Sequence, residues 1–315
     1  MRLLLLGCSG FVGHELVPRL LAAGHQLAVV SRRSVDQQAK LDEEFASQVD
    51  WLQLDPSQAQ SWQSENLLRT LENAEGVVNL AGEPIAEARW TPEHCKLIES
   101  SRLNTTSLLV KAMAGMEKPP QVLVNGSAVG FYGTSLEGQF NEQSPPGDDF
   151  LATLCEAWES AAEAKPQMTR LVVVRIGIVL GPNGGAFGKM LPIFKAGFGG
   201  PLGTGKQWMS WIHRTDLCSI IEQSLRDRSW SGVVNGVAPE PVKMSTFARE
   251  LGMSLGRPSL LPVPGAILKV LLGDGARVVL EGQRVVSDRL TSLGFTFSYA
   301  NLKGALSELR ISSAG

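Results

Sequence analysis

Tyr299 and Lys303 are residues whose types and spacing could support acid–base chemistry, because they form the only Tyr-xxx-Lys sequence in the chain. In a helix, side chains four residues apart share one face. An ammonium beside a phenol lowers the phenol pKa, so that the phenol can exchange a proton with a substrate. The pair lies close to the C-terminus, however, after all the elements described below. Because a five-residue match of this kind also arises by chance, we predict that it has no catalytic role.

A glycine-rich turn near the N-terminus, GCSGFVG, has the residues needed to bind a pyrophosphate. It follows an apolar strand, RLLLLG, and precedes an apolar-faced helix. Glycines allow a tight turn and close approach of a phosphate, and N–H groups at a helix start bind the anion. Strand, spacing and helix occur together here, which predicts a dinucleotide site. Its predicted contacts are Gly7, Ser9, Gly10, Phe11, Val12 and Gly13.

The end of the second strand indicates which dinucleotide binds. A site for NAD places an acidic residue about 20 residues after the glycines, where it holds the ribose 2′-hydroxyl. This chain has Ser31, Arg32 and Arg33 instead. A hydroxyl and two guanidinium groups would bind a 2′-phosphate through charge-assisted hydrogen bonds, whereas a carboxylate would repel it. We therefore predict that the cofactor is NADP(H).

Two further strand ends fit the same groove, because ligands of open parallel sheets collect at the carboxyl ends of the strands. Asp55 follows the third strand, and the segment NLAG ends the fourth. The predicted contacts from NLAG are Asn79, Leu80, Ala81 and Gly82. The alternative for each position is an ordinary strand-to-loop turn.

The glycine spacing, GxxGxxG, resembles that of the short-chain dehydrogenase/reductase superfamily, in particular its extended, epimerase-like branch. The resemblance implies a hydroxyl after the fifth strand that polarises the substrate oxygen. In NGSAVGFYG that hydroxyl is Ser127, with the register open by one residue because Phe131 and Tyr132 could each match the family's aromatic residue. Ser127 and Tyr132 are therefore the catalytic candidates, and a packing role is the alternative for Tyr132.

The resemblance also implies a catalytic Tyr and Lys on the next helix, DDFLATLCEAWESAA. If Glu159 matches the glutamate that commonly follows that lysine, the two positions hold Leu151 and Cys155. A register shifted by one residue gives Phe150 and Leu154. Neither pair can perform the proton transfer of a tyrosine and a lysine.

Longer segments, among them NLAGEPIAEARWT and PPGDDFLATLCEAWE, resemble the sugar-nucleotide-epimerase-like proteins that lack this pair. The resemblance covers residues 1 to about 308 and implies NADP(H) binding, an unassigned substrate and, for some relatives, a link to plastid or cell division. We further assign Arg102 and Ile178 to the cofactor. The predicted substrate contacts are Arg89, Trp90, Lys189 and Trp208. An anionic, planar-faced substrate would suit Arg89, Trp90 and Arg102, and the alternative for these three is surface salt bridges and a core tryptophan.

Two other motifs are weaker. GPLGTGKQ nearly spells a phosphate-binding P-loop, but Gln207 replaces the Mg²⁺-binding hydroxyl and no buried strand precedes it. We predict instead a loop over the substrate, with Lys206 and Trp208 at its edge. In WIHRTD, His213 and Asp216 could form a general base, although we predict that the aspartate caps and packs the next helix.

Apolar strands alternate with helices along most of the chain, which predicts an α/β fold: a doubly wound, parallel Rossmann-type sheet of about seven strands. We assign residues 1–181 to the NADP-binding domain, to which 211–237 return. Residues 182–210, read as a glycine-rich loop, and 238–315 form a smaller, mostly helical substrate lobe.

Composition narrows the class of protein. A formal net charge of −2 gives no basic surface for nucleic acid, and no apolar run approaches the length of a membrane span. Four scattered cysteines argue against disulfides and against a metal site. We expect a cytoplasmic protein, with peripheral membrane association left open, that acts on a small molecule. The alternative is an NADP(H)-binding regulator or scaffold that acts through a protein partner.

Overall fold

A seven-stranded parallel sheet forms the centre of the protein, as the alternating apolar segments predict. The computed structural model describes residues 1–34, 47–86, 88–182 and 184–312. The strands of this sheet are β1 (Arg2–Leu6), β2 (Gln26–Ser31), β3 (Val49–Gln53), β4 (Gly76–Asn79), β5 (Val122–Ala128), β7 (Arg170–Ile176) and β11 (Gly232–Gly236). The strand order is β11-β7-β5-β4-β1-β2-β3, and all neighbours in this sheet run parallel.

Helices cover both faces of the sheet, because its strands are apolar on both sides. One buried cluster joins the sheet to α1 (Gly13–Ala22) and α6 (Arg214–Arg226), and these helices lie on one face. The opposite cluster involves α2 (Glu65–Glu72), α3 (Pro92–Ala114) and α4 (Phe150–Glu163). The predicted doubly wound α/β fold is therefore confirmed.

The order of the strands reverses at β1, since successive connections lead from β1 towards β3 on one side and from β4 towards β11 on the other. Such a switch point opens a crevice at the carboxyl ends of the strands, and this is where open α/β sheets bind ligands. The glycine turn follows β1 and the NLAG segment ends β4, so the fold brings the two predicted cofactor segments to this crevice.

A separate apolar cluster joins the region around residues 180–211 to the region 238–309. Its helices and those that follow are α5 (Gly185–Lys195), α7 (Met244–Leu255), α8 (Gly265–Leu272), α9 (Arg277–Leu280), α10 (Asp288–Ser292) and α11 (Leu302–Ser312). Short strands accompany them: β6 (Gln139–Phe140), β8 (Ile178–Leu180), β9 (Trp208–Met209), β10 (Trp211–His213), β12 (Val242–Lys243) and β13 (Arg284–Val285).

One local prediction was wrong. The segment 182–210 is not simply a loop, since its apolar positions form α5 and bury Phe187 and Phe194. After residue 264 the chain forms two short helices: α8 ends before Gly273, whose φ of 60° is the left-handed region that favours glycine, and α9 begins only after a turn of 3₁₀ helix.

Candidate functional site

The glycine turn after β1 has a backbone that side chains would disrupt. Gly7 has a φ of +75°, and a Cβ there would lie 2.4 Å from the Ala81 nitrogen. A Cβ at Gly13 would lie 1.7 Å from the Cys8 carbonyl oxygen, whereas one at Gly10 would meet only the Gly7 oxygen at 3.9 Å. The outer glycines thus serve packing, and the side of the turn at Gly10 is open to a ligand.

The residues predicted to select the cofactor gather beside this turn. The Ser31 hydroxyl donates to Ser9 Oγ over 3.2 Å and accepts the Arg33 N–H over 3.1 Å. Arg33 also donates from Nη1 to the Ser9 carbonyl oxygen at 3.3 Å. Arg32 points elsewhere and pairs with Glu83 at 3.3 Å. Two hydroxyls and an exposed guanidinium next to a phosphate-binding turn are a donor set that fits a 2′-phosphate.

The NLAG segment is held in place by the buried side-chain amide of Asn79, which is hydrogen-bonded within the protein. Asn79 Nδ2 donates to Thr106 Oγ1 at 2.9 Å and to Asn125 Oδ1 at 2.7 Å, and its oxygen accepts the Ala81 N–H at 3.3 Å. Asn79 therefore shapes the loop that packs under the glycine turn. Asp55 accepts two hydrogen bonds from Ser57, which makes it part of a tight turn at the end of β3.

A cavity of about 540 Å³ opens next to the glycine turn, and several predicted site residues meet there. It lies between the carboxyl ends of the strands, α4 and the region of α9, so that segments far apart in sequence line one space. The predicted residues that line it are Phe11, Val12, Leu80, Trp90, Arg102, Ser127, Ile178 and Trp208.

The first half of α4 forms one wall of this cavity, and we call residues 150–158 the α4 wall. Leu151 and Cys155, the residues at the expected Tyr and Lys positions, both line the cavity, and so do Phe150 and Leu154 of the shifted register. Burial raises the pKa of the Cys155 thiol to about 11. Neither register therefore supplies a group that exchanges protons near neutral pH.

A buried hydrogen-bond network lies behind the cavity and includes both catalytic candidates. Ser127 Oγ donates to Glu159 Oε1 at 2.6 Å, and Arg175 binds both oxygens of that carboxylate at 2.9 and 2.8 Å. Arg175 Nη1 also donates to the Tyr132 hydroxyl, which donates to Asn235 Oδ1 at 2.7 Å. Of the residues in this hydrogen-bond network, Ser127 is the one that lines the cavity.

Tyr132 is almost fully buried and does not belong to the residues lining the cavity. Its ring packs on Phe131 and stacks on Phe140 at 5.5 Å. Burial raises the pKa of its phenol, which is the reverse of what an activated proton donor needs. These contacts favour the alternative prediction, a packing role.

Sequence reasoning missed the roles of Glu159 and Arg175 in this network. The signal was present: Arg175 ends an apolar run, residues 171–174, in β7, which is buried on both faces. A charged side chain in such a strand needs a buried partner of opposite charge. In the sequence, Glu159 was used only to locate the expected Tyr and Lys positions on α4. Its position on that helix also directs its side chain towards the sheet.

The predicted substrate contacts divide into two groups. Trp90 and Trp208 line the cavity, and Trp90 packs edge-on against Phe150 at 5.3 Å between ring centroids. Arg89 instead donates to the Val270 carbonyl oxygen, and Lys189 donates to that of Ala86. Neither of these two cations belongs to the lining.

Arg102, predicted to bind the cofactor, lines the cavity from α3. Its Nη1 donates to the carbonyl oxygens of Glu83 and Ile98, both at 3.0 Å, and its guanidinium lies 5.3 Å from the centroid of the Trp158 ring. Burial lowers the pKa of this group. These contacts hold the loop after β4 in place.

The Tyr299–Lys303 pair lies outside the cavity lining. Tyr299 precedes α11, so the two residues do not share a helical turn, and its ring packs on His213 with centroids 4.0 Å apart. Asp216 does not cap α6 as predicted. His213 Nδ1 accepts the Thr215 N–H there, and the buried Asp216 accepts the N–H groups of Ser298 and Tyr299.

The P-loop-like segment ends in a strand, β9, and not in the helix that a phosphate site of that type requires. Gln207 donates to the carbonyl oxygens of Leu202 and Val279, and Lys206 is exposed away from the cavity lining. In the described part of the chain, no group of three or more His, Cys, Asp or Glu side chains is arranged to hold a metal ion. None of the described helices is long and apolar enough to cross a membrane.

Comparison with known families places this geometry in context. Residues 3–235 match the NAD dependent epimerase/dehydratase family, and residues 263–309 match a domain of unknown function, DUF1731. A chloroplastic epimerase family protein SDR39U1 homologue of Arabidopsis thaliana is 43% identical over 302 residues, which are 95% of this chain and 84% of the relative. The human epimerase family protein SDR39U1 is 38% identical over 313 residues, 98% of this chain and 99% of that one.

Solved structures show the same fold. The crystal structure of human SDR39U1 with NADPH superposes with a TM-score of 0.86 at 37% identity, over 98% of this chain and 99% of that chain. A UDP-glucuronic acid 4-epimerase of Bacillus cereus, solved with UDP-glucuronic acid and NAD, gives a TM-score of 0.79 at 16% identity over 99% of each chain. The second likeness is one of fold alone.

Proposed function

The chain belongs to the NAD dependent epimerase/dehydratase family, and from that premise we propose that it is an NADP(H)-binding, epimerase-like oxidoreductase. Its substrate would be a sugar-nucleotide-like or other small carbonyl compound, bound in the cavity between the Rossmann-type domain and a lobe formed by residues 182–210 and 238–315. We place it in the cytoplasm.

The contacts of Ser9, Ser31 and Arg33 carry this proposal. A glycine turn alone fits any dinucleotide, but a guanidinium and two hydroxyls beside it fit the extra phosphate of NADP(H). The crystal structure of the related human protein with NADPH supports the same cofactor here. The pyrophosphate would bind at the open side of the glycine turn, beside Gly10, while Gly7 and Gly13 let the turn pack closely. Phe11, Leu80 and Ile178 would border the nicotinamide.

The bound cofactor would supply or accept a hydride, so the protein needs to orient the substrate and to manage one proton. Ser127 is the hydroxyl of the cavity best placed for the substrate oxygen. Because its proton is donated to Glu159, its oxygen is left as an acceptor for a substrate hydroxyl. With Leu151 and Cys155 in place of a tyrosine and a lysine, proton transfer would pass through Ser127 or water and be slower than in the usual enzymes.

As a second candidate function we propose a catalytically silent NADP(H)-binding regulator or scaffold with a role in cell or plastid division. The apolar α4 wall favours it, since Leu151 and the protonated thiol of Cys155 offer no acid or base. In this case the cofactor would control the affinity for a protein partner.

Variants of Arg33 and Arg32 test the cofactor assignment. Arg33→Ala should weaken NADPH binding by about 10- to 100-fold, the value of a charge-assisted hydrogen bond, and leave NADH binding within twofold. Arg32→Ala is the matched control, because Arg32 pairs with Glu83 on the surface, and it should have the smaller effect. Equal losses for NADPH and NADH in the Arg33 variant would contradict the assignment.

Turnover separates the two candidate functions. Oxidation of NADPH, followed by absorbance with carbonyl compounds, should be detectable and should fall in Ser127→Ala without loss of NADPH affinity. NADPH binding without turnover of any compound, together with a partner whose affinity depends on the cofactor, would favour the regulator.

A further inference from the structure

We propose that the cavity takes an apolar, planar carbonyl compound, such as an aryl ketone or aldehyde, and rejects nucleoside diphosphate sugars. This inference rests on the proposed NADP(H) site and narrows the substrate class of that same site. It follows from the chemistry of the cavity wall outside residues 7–13.

Aromatic and aliphatic side chains form most of that wall. Trp90, Trp158 and Trp208 line the cavity together with Phe150 and Leu151 of the α4 wall. The edge-on contact of Trp90 with Phe150 fixes the two rings, and Trp158 is held by a hydrogen bond from its Nε1 to Thr106. Rigid rings of this kind bind flat apolar molecules by stacking and edge contacts.

The neutral polar side chains of the wall are already bonded within the protein. Thr134 donates to Glu281 at 3.2 Å, Ser210 donates to the Gln283 carbonyl oxygen, and Gln283 Nε2 donates to the Val129 carbonyl oxygen. The several hydroxyls of a sugar ring would compete with these bonds for partners. A carbonyl ligand needs a single donor, the Ser127 hydroxyl, which would have to turn from Glu159 towards the ligand oxygen.

Charge at the cavity also disfavours a diphosphate. Of the two arginines among its described lining residues, Arg277 is paired, 3.1 Å from Glu281 and 3.8 Å from Asp149. Arg102 donates two hydrogen bonds to backbone carbonyls, which hold it in place without neutralising it. Glu281 and Asp149 line the cavity as well. Two carboxylates would repel a diphosphate, which elsewhere binds to uncompensated arginines.

The size of the cavity suits such a ligand. At about 540 Å³ it lies within the range of small-molecule sites, and the nicotinamide would take part of it. The remaining space accommodates a molecule of one or two fused rings.

Calorimetry with protein saturated with NADPH tests the proposal, with 1-acetonaphthone and UDP-glucose as probes. 1-Acetonaphthone should bind, and UDP-glucose at the same concentrations should not. Leu151→Asn, which keeps the size of the side chain and adds an amide, should weaken 1-acetonaphthone about tenfold, whereas the matched control Leu151→Met should stay within twofold.

NADPH affinity is measured in the same samples, so that two kinds of failure can be told apart. Binding of UDP-glucose, or of neither probe, to NADPH-saturated protein would overturn the proposed substrate class. Failure of NADPH itself to bind would instead overturn the proposed function on which that class rests.

Discussion

Two regions at the cavity differ in what they tolerate. The glycine edge, meaning residues 7–13 with Ser31 and Arg33, has no room for side chains at Gly7 and Gly13 and is rich in hydrogen-bond donors. The α4 wall lines the cavity with apolar side chains and a protonated thiol. The difference shows that dinucleotide binding and proton transfer depend on different segments of this fold, and that the α4 wall offers no acid or base for the second.

The largest expected effect lies behind the α4 wall, in the buried pair of Glu159 and Arg175. Glu159→Gln keeps the size of the side chain but leaves the guanidinium without its charge partner, at a cost of about 3 kcal/mol or more in unfolding free energy. Glu281→Gln breaks the exposed pair with Arg277 and should cost about 0.5 kcal/mol or less. Urea denaturation measures both, and equal costs would show that the buried network does not hold the wall.

The next largest effect concerns the glycine edge. Gly13→Ala puts a Cβ against the Cys8 carbonyl, so the turn must shift, and NADPH affinity should fall about 100-fold, equivalent to about 2.7 kcal/mol. Gly115→Ala is the control, because a Cβ there meets its nearest atom at 3.6 Å. Fluorescence titration with NADPH measures the affinities, and circular dichroism confirms the fold. A Gly13 variant that binds like the wild type would contradict the role of the turn.

The buried thiol of the α4 wall predicts a dependence of stability on pH. Its pKa is about 11 in the folded protein against an ordinary value of 9.0, so above pH 9 the folded state keeps a proton that the unfolded state loses. Stability therefore falls as the pH rises from about 9 to 11. Relative to pH 8, Cys155→Ala should lose less stability than the wild type at pH 10.5, by on the order of 2 kcal/mol.

Urea denaturation of both proteins at the two pH values isolates the Cys155 contribution, since all other groups titrate equally in each. An identical loss in wild type and variant would mean that the thiol ionises freely and that the wall is more polar than described.

The smallest effect is expected at the Tyr-xxx-Lys pair outside the cavity. Tyr299→Phe retains the ring that packs on His213, and Lys303→Met removes an exposed ammonium. Each should change NADPH affinity and any turnover by less than about twofold. A tenfold loss of turnover at unchanged stability would show that the pair has a catalytic role and would contradict this prediction.

A structural feature can be predicted from the sequence when the residues that form it are close together along the chain. The glycine turn, Ser31 and the apolar strands were predictable, because strand, turn and helix follow one another directly. The buried pair of Arg175 with Glu159 joins a strand to a helix across 16 positions and could be suspected only from a charge in an apolar run. Such a suspicion does not identify the partner.

The cavity was the least predictable feature. Trp90, Leu151, Trp208 and Arg277 come from four separate segments, and no local pattern shows that they face one another. For the same reason, the sequence does not show that Arg89 contacts α8 on the surface while Arg102 lies half-buried beside Trp158. Packing of the C-terminal region decides these roles.

The central claim is that the glycine edge binds NADP(H) and selects it over NAD(H). Calorimetric titration of the unmodified protein with NADPH and NADH, in one buffer at one ionic strength, tests it most directly. We predict that NADPH binds at least about tenfold more tightly, because only its 2′-phosphate can use Arg33 and the two serine hydroxyls. Equal affinities, or no binding of NADPH, would contradict the claim.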